Sequence, residues 1–262
     1  MGKMPEMVYV HIDTTSNAIL ARGITPADFV HGIVHYPSNL LLLDPSSNYG
    51  EFEAHTGMKI IRGNESVDRF FDEVRKERIT EDLKWIDFSD AAMLKELTPL
   101  EISELLYFGH MKTHLHSPFF YKLQNNFVFF DLQDGLTRVY YRYLDEFYRI
   151  LADKITRVAL GKLNDRRSFF RKATPVEKLD LTLLKEMKGL FQEGVIFCLK
   201  NSEVINKEFQ LPIYLVEESG LRQSVTFGYD KPEMLVATLI YNKVERHWYL
   251  KYEDNDLLFM PN

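Results

Sequence analysis

Phe127-Val-Phe-Phe-Asp-Leu132 and Arg138-Val-Tyr-Tyr-Arg-Tyr143 stand on either side of Gln133-Asp134-Gly135. Asp-Gly between two aromatic-rich runs is a hairpin signal, because the tight turn needs the positive φ that these residues tolerate. Rings occupy both arms: Phe127, Phe129, Phe130, Tyr140, Tyr141 and Tyr143. Cross-strand packing accounts for them without any function. A row left exposed would instead be a patch for a ligand or partner.

Downstream, after Gly194, strand-like runs follow one another: Val195–Leu199, Phe209–Val216, Gln223–Tyr229, Met234–Tyr241, His247–Tyr252 and Leu257–Met260. Turn residues such as Glu218-Ser219-Gly220 and Asp230-Lys231-Pro232 separate them. Short strands on short connectors predict an antiparallel meander. Upstream, Met7–Ile12, Ala18–Ala21, Asn39–Asp44 and Met58–Ile61 read as strands, and Ser66–Arg78 reads as a helix with Val67, Phe70, Phe71 and Val74 on one face.

Helix starts are marked three times by Thr-Pro-x-acid: Thr25-Pro26-Ala27-Asp28, Thr98-Pro99-Leu100-Glu101 and Thr174-Pro175-Val176-Glu177. A threonine hydroxyl caps an orphan amide, proline at N1 gives up a donor that had no partner, and the acid reaches back to the cap. The third of these predicts a helix over 174–191. Helical spacing also runs from Leu144 to Val158.

These elements predict an α+β protein: a mixed N-terminal part and a C-terminal helix packed on an antiparallel sheet. The expected division is 1–165, a mixed α+β domain with the aromatic hairpin, and 166–262, a helix plus antiparallel meander. The boundary is set where helical periodicity lapses, between Gly161 and Lys172, and a loop within one domain fits the same residues.

Composition bounds the function. The 262 residues are 45% hydrophobic and 13% aromatic, with 32 Lys+Arg against 38 Asp+Glu. A net charge of −6 argues against a general nucleic-acid coat or a polybasic membrane binder. The longest charge-free stretch, Phe29–Leu43, holds His31, His35 and Pro37 and is too short to span a bilayer. No apolar run follows Lys3, which argues against a secretory leader. The single cysteine, Cys198, makes no internal disulfide and reads as a small buried apolar residue. A cytoplasmic location is expected.

Three features compete as sites. His110, His114 and His116 lie close together before Pro118. His110 and His114 are one helical turn apart and would face one metal ion if the helix persisted. The competing explanation is a helix C-terminus, where imidazoles satisfy free carbonyls. His31 and His35 share the same i, i+4 spacing on the first capped helix, and Asp13, Asp44 or Glu53 would supply oxygen to a second half-site. The segment 154–172 carries seven cations and one acid. Within it Arg166, Arg167 and Arg171 stand beside Phe169 and Phe170, a pattern suited to phosphate or single-stranded nucleic acid. A solvated helix end and linker explains the same charges and is favoured here. Neither GxGxxG, GxxxxGK nor GxSxG occurs.

The stretch Leu105-Leu-Tyr-Phe-Gly-His-Met-Lys-Thr-His-Leu-His-Ser-Pro-Phe-Phe120, with the Asp134-Gly135 turn and Val139-Tyr-Tyr-Arg142, resembles a family of uncharacterised soluble bacterial proteins. Some of its members carry the label oxalate/formate antiporter. The resemblance covers mainly residues 97–150, and no motif in it has a known chemical role, so it implies no catalytic residue. The transporter label is untenable for this chain, since no segment crosses a bilayer with its backbone satisfied.

The resulting expectation is a cytosolic, non-catalytic binding or regulatory module that takes a small molecule or a protein in a groove between helix and sheet layers or between domains. No membrane partner is expected, the charge argues against nucleic acid, a homo-oligomer is left open, and no cofactor is implied. The alternative is a metal-dependent hydrolase-like enzyme using His110, His114 and His116. A third reading is a phosphate or nucleic-acid binder through segment 154–172.

Overall fold

A computed structural model describes residues 6–79, 83–109, 118–132, 135–164, 173–222 and 228–253. The protein is α+β. In chain order its strands and helices are β1 Val8–Asp13, β2 Ala18–Arg22, α1 Pro26–Gly32, β3 Asn39–Leu42, β4 Glu51–Glu53, β5 Met58–Arg62, α2 Asn64–Arg75 and β6 Lys84–Phe88. There follow α3 Pro99–Gly109, β7 Phe127–Asp131, β8 Leu136–Tyr141, α4 Leu144–Asn164, α5 Leu181–Glu186, α6 Lys188–Glu193 and β9 Val195–Phe197. The chain continues through β10 Glu203–Ile205, β11 Glu208–Leu215, β12 Leu235–Asn242 and β13 His247–Tyr252. It divides into two compact units, one of 1–12, 21–24 and 148–262, the other of 13–20 and 25–147.

The second unit is built around the predicted hairpin. β7 and β8 pair in the register Phe127↔Tyr141, Phe129↔Val139 and Asp131↔Thr137. The sheet continues in the order β8-β7-β6-β3-β5-β4, each neighbour antiparallel. Successive side chains of a strand point to opposite faces, and both faces are covered here. On one face Phe29 of α1 meets Phe127 and Phe129, with ring centroids 5.2 and 4.7 Å apart, and Trp85 stacks on Phe129 at 4.4 Å. Phe70 and Phe71 of α2 close over the same Trp85. On the other face Phe108 of α3 packs edge-on against Phe130 at 5.0 Å, beside Ile86, Val128 and Tyr140. Five of the six hairpin rings are therefore buried, and Tyr143 is the exposed one. Each buried ring contributes about 1.5–3 kcal/mol by leaving water.

Two of the three cap motifs form as expected. Thr25 Oγ1 accepts the Asp28 N–H at 3.2 Å, while Asp28 Oδ2 accepts the Thr25 N–H at 3.0 Å. Thr98 and Glu101 exchange the same pair of bonds at 3.3 and 2.7 Å. The third does not start a helix, which corrects the expectation over 174–191. Residues 173–180 are irregular, and α5 begins only after Asp180, whose side chain accepts the Thr182 N–H. The groups that would have closed the box are taken by tertiary partners. The Glu177 carboxylate pairs with Arg246 at 2.6 Å, its N–H donates to Tyr241 Oη, and its carbonyl accepts Trp248 Nε1–H at 2.7 Å.

In the first unit the strand order is β13-β12-β11-β9-β1, antiparallel throughout. β10 pairs β11 across Asn206 and Lys207, whose positive φ values make the tight hairpin turn. Helix α4 packs against the antiparallel sheet. A row of rings ties these layers together: Tyr148 on α4, Phe191 on α6 and Phe197 on β9, with centroids 6.0 and 6.2 Å apart. The expected strands 223–229 and 257–260 fall on residues that lie wholly or mostly outside the described set. Among the described residues no helix is long and apolar enough to cross a membrane.

Candidate functional site

Between α2 and the β4–β5 hairpin the second unit carries a groove of about 380 Å³. That size suits a small organic molecule, since ligand pockets span roughly 300–1,000 Å³. Ile61 and Phe70 are buried and form its apolar base, while Ile60, whose side chain belongs to the core on the other face of the sheet, borders it beside Gly50. Tyr49 and Gly50 line one side, and Tyr49 meets Phe70 edge-on at 5.5 Å. Gly50 is required by close approach: a Cβ there would sit 2.7 Å from the Ile60 carbonyl oxygen.

The polar rim is unevenly engaged. Arg62, on the last position of β5, makes no side-chain hydrogen bond or ion pair to the described residues. Arg69 spends a single bond on Ser66 Oγ, at 3.2 Å. Glu73, by contrast, is held by Arg78 at 3.5 Å and Lys76 at 3.9 Å. A guanidinium carries five N–H donors in a planar fork, so two of them with spare donors over an apolar base can grip one carboxylate or phosphate. The exposed Glu51 faces the same groove and can accept a hydrogen bond from a ligand donor.

The residues singled out from sequence fall elsewhere. His110, His114 and His116 lie outside the described residues, as do Arg166, Arg167 and Arg171. Of the other cations in segment 154–172, Arg157 Nε donates to the Asp153 carbonyl at 3.3 Å and Lys162 Nζ to the Ser202 carbonyl at 3.4 Å. Among the described residues no three His, Cys, Asp or Glu side chains gather as a metal-holding group.

The pairing of His31 with His35 on one helix is corrected: α1 ends at Gly32, so His35 stands beyond it. The carboxylates considered beside them serve their own turns. Asp13 accepts from Thr15 and Ser16, Asp44 from Ser46, and Glu53 from His55 and Thr56. His35 instead directs Nδ1 at Glu146, a buried residue in the first turn of α4. Cys198 is fully buried, and that burial pushes its thiol up, which suppresses the thiolate.

Sequence inspection missed the groove because its lining comes from separate segments: 49–51, 60–62 and 66–73. It also missed Glu146, whose partner His35 lies 111 residues away. Comparison with protein-family models, curated proteins and solved structures finds no match for this chain.

Proposed function

We propose that this protein is a cytosolic, non-catalytic binding module whose ligand occupies the groove between α2 and the β4–β5 hairpin. The ligand is a small molecule with an apolar body and one carboxylate or phosphate. The observation that carries this reading is the pair Arg62 and Arg69, which line the groove with Ile61 and Phe70 and keep side-chain donors unspent among the described residues. Ionised acceptors on such guanidiniums make the stronger class of hydrogen bond, and the apolar base adds area removed from water.

The test is amide and side-chain NMR on the full chain, titrated with a panel of small aromatic carboxylates and aryl phosphates. Shifts confined to 49–51, 60–62 and 66–73, lost in the Arg62→Ala/Arg69→Ala double variant with the rest of the spectrum unchanged, support the reading. Binding that leaves those resonances unmoved, or no binding by any member at millimolar concentration, overturns it.

A further inference from the structure

Glu146 is 3% exposed and receives four donors. Its two oxygens accept the Val34 N–H at 3.4 Å, the His35 N–H at 3.3 Å, the Tyr141 hydroxyl at 3.1 Å and His35 Nδ1. It sits in the first turn of α4, where the helix dipole favours a negative charge. The carboxylate is thus fixed from several sides, and the two backbone amides already tie the loop after α1 to it. The imidazole is an additional donor to an anchor that is otherwise held.

The ring of His35 is built in the opposite sense. Tyr143 stacks on it, with centroids 4.7 Å apart and planes 26° apart, and its side chain is half exposed. With Nδ1–H donating to the carboxylate, the lone pair of the neutral ring resides on Nε2, and Nε2 has no partner among the described residues. A buried carboxylate behind an imidazole fixes its tautomer and orientation, and stabilises positive charge that develops in the ring during attack.

The other described histidines lack this combination. His55 commits Nε2 to the Leu97 carbonyl at 2.8 Å. His11 and His247 pair with Glu218 and Glu245, carboxylates that are themselves exposed, at 46% and 65%. His31 is exposed and has no described partner.

We propose that His35 is a phosphoryl-acceptor site, modified at Nε2 by a small acyl phosphate. The Nε2 lone pair attacks phosphorus, and the bond from phosphorus to the acyl oxygen breaks. Its electron pair leaves with the carboxylate of the donor. The ring becomes positively charged, and its Nδ1 proton stays in the hydrogen bond to Glu146, which neutralises that charge. Phosphoryl transfer through a loose transition state rests on positioning of the nucleophile and on electrostatic stabilisation of the developing charges. The half-exposed Nε2 with a carboxylate behind the ring supplies the positioned nucleophile and offsets the charge that forms on the imidazole. Glu146 acts here as a positioning residue.

The experiment treats the full chain with acetyl phosphate and follows phosphohistidine by phosphorus NMR and peptide mass spectrometry. The expected result is Nε2-phosphohistidine at His35, formed well ahead of modification at His31, which lies four residues upstream and is also exposed. His35→Asn abolishes this signal, and Glu146→Gln slows it roughly a hundredfold, as loss of an electrostatic partner does. Equal labelling of His31 and His35, acetyl rather than phosphoryl on His35, or an undiminished rate in a folded Glu146→Gln protein overturns the proposal. Should Glu146→Gln fail to fold, the comparison of His31 with His35 in the unaltered chain decides alone.

Discussion

Asp87 on β6 holds the start of β7: its Oδ1 accepts the backbone N–H of Phe127 at 2.8 Å. The same carboxylate receives the Asn126 N–H at 2.9 Å and Asn126 Nδ2 at 3.0 Å. Burial pushes the Asp87 carboxyl up to about 6, against the downward pull of those donors. Because the folded-state value lies above the ordinary one, this group supports folding fully below about pH 4 and withdraws that support as pH rises to about 6. A displacement from 3.8 to about 6 corresponds to about 3 kcal/mol. Asp87→Asn keeps one acceptor oxygen and turns an amino group toward N–H donors, which costs roughly 1–3 kcal/mol. Urea unfolding as a function of pH should show the stability advantage of the unaltered protein over Asp87→Asn shrinking between pH 4 and 6. A difference that stays constant across that window would refute the account.

Glu101 moves the other way. Lys122 Nζ lies 2.8 Å from its Oε2, and the Thr98 N–H and hydroxyl reach the same oxygen at 2.7 Å. The Lys122 ammonium, followed by the Thr98 amide, holds this carboxyl down to about 2. A depressed folded-state value means support for folding that is present above the ordinary carboxylate range and lost as pH falls toward 2. Carbon-detected NMR titration should place Glu101 below the other glutamates, and Lys122→Met should bring it part of the way back while Thr98 still donates. Titration of Glu101 in the ordinary range in the unaltered protein would contradict this.

The three Thr-Pro motifs make a matched set. Thr25→Ala removes a cap that is formed and should cost about 1 kcal/mol. Thr98→Ala should cost a similar amount, on the same capping bond. Thr174→Ala should change stability by less than about 0.5 kcal/mol, since no helix starts there and the Asn164 side chain contacts Thr174 through its backbone. Chemical denaturation of the three variants decides the point. A loss at Thr174 equal to that at Thr25 would show that 173–180 does hold a capped helix.

These contrasts show what was readable in the sequence. The β7–β8 hairpin and the caps of α1 and α3 are local arrangements, set by residues within a few positions of each other. The third cap was locally as good, yet Arg246, Tyr241 and Trp248 took the groups of Glu177, and their approach depends on the meander having folded. Strand β6 escaped notice because Lys84 and Asp87 interrupt its apolar run, although Trp85 and Ile86 are fully buried in it. Neither proposed site has a local signature. Arg62 and Arg69 come from β5 and α2, and Glu146 was indistinguishable from any acid in a first helical turn until the fold set His35 beside it.

Gly194 closes α6 and opens β9, and its backbone is committed at both ends. Its N–H donates to the Leu190 carbonyl at 3.0 Å, and its carbonyl accepts the Val216 N–H at 2.9 Å. The residue has φ +98°, and a Cβ would stand 2.5 Å from the Val216 carbonyl oxygen and 2.8 Å from the Tyr9 hydroxyl. Val216 is part of the backbone that must stay to keep those bonds, so relaxation is expensive. Gly194→Ala should therefore destabilise by about 3 kcal/mol or more, combining backbone strain with a steric clash. Gly189, inside α6, has open space where a Cβ would stand, with nothing within 4 Å, and Gly189→Ala should stabilise by roughly 0.5–1 kcal/mol through the unfolded chain. The two substitutions add the same methyl group within a single helix and its cap, so opposite shifts in thermal midpoint isolate conformation and packing from composition. Equal shifts would mean that the turn at Gly194 relaxes freely and that its strand junction is not fixed in the way the hydrogen bonds describe.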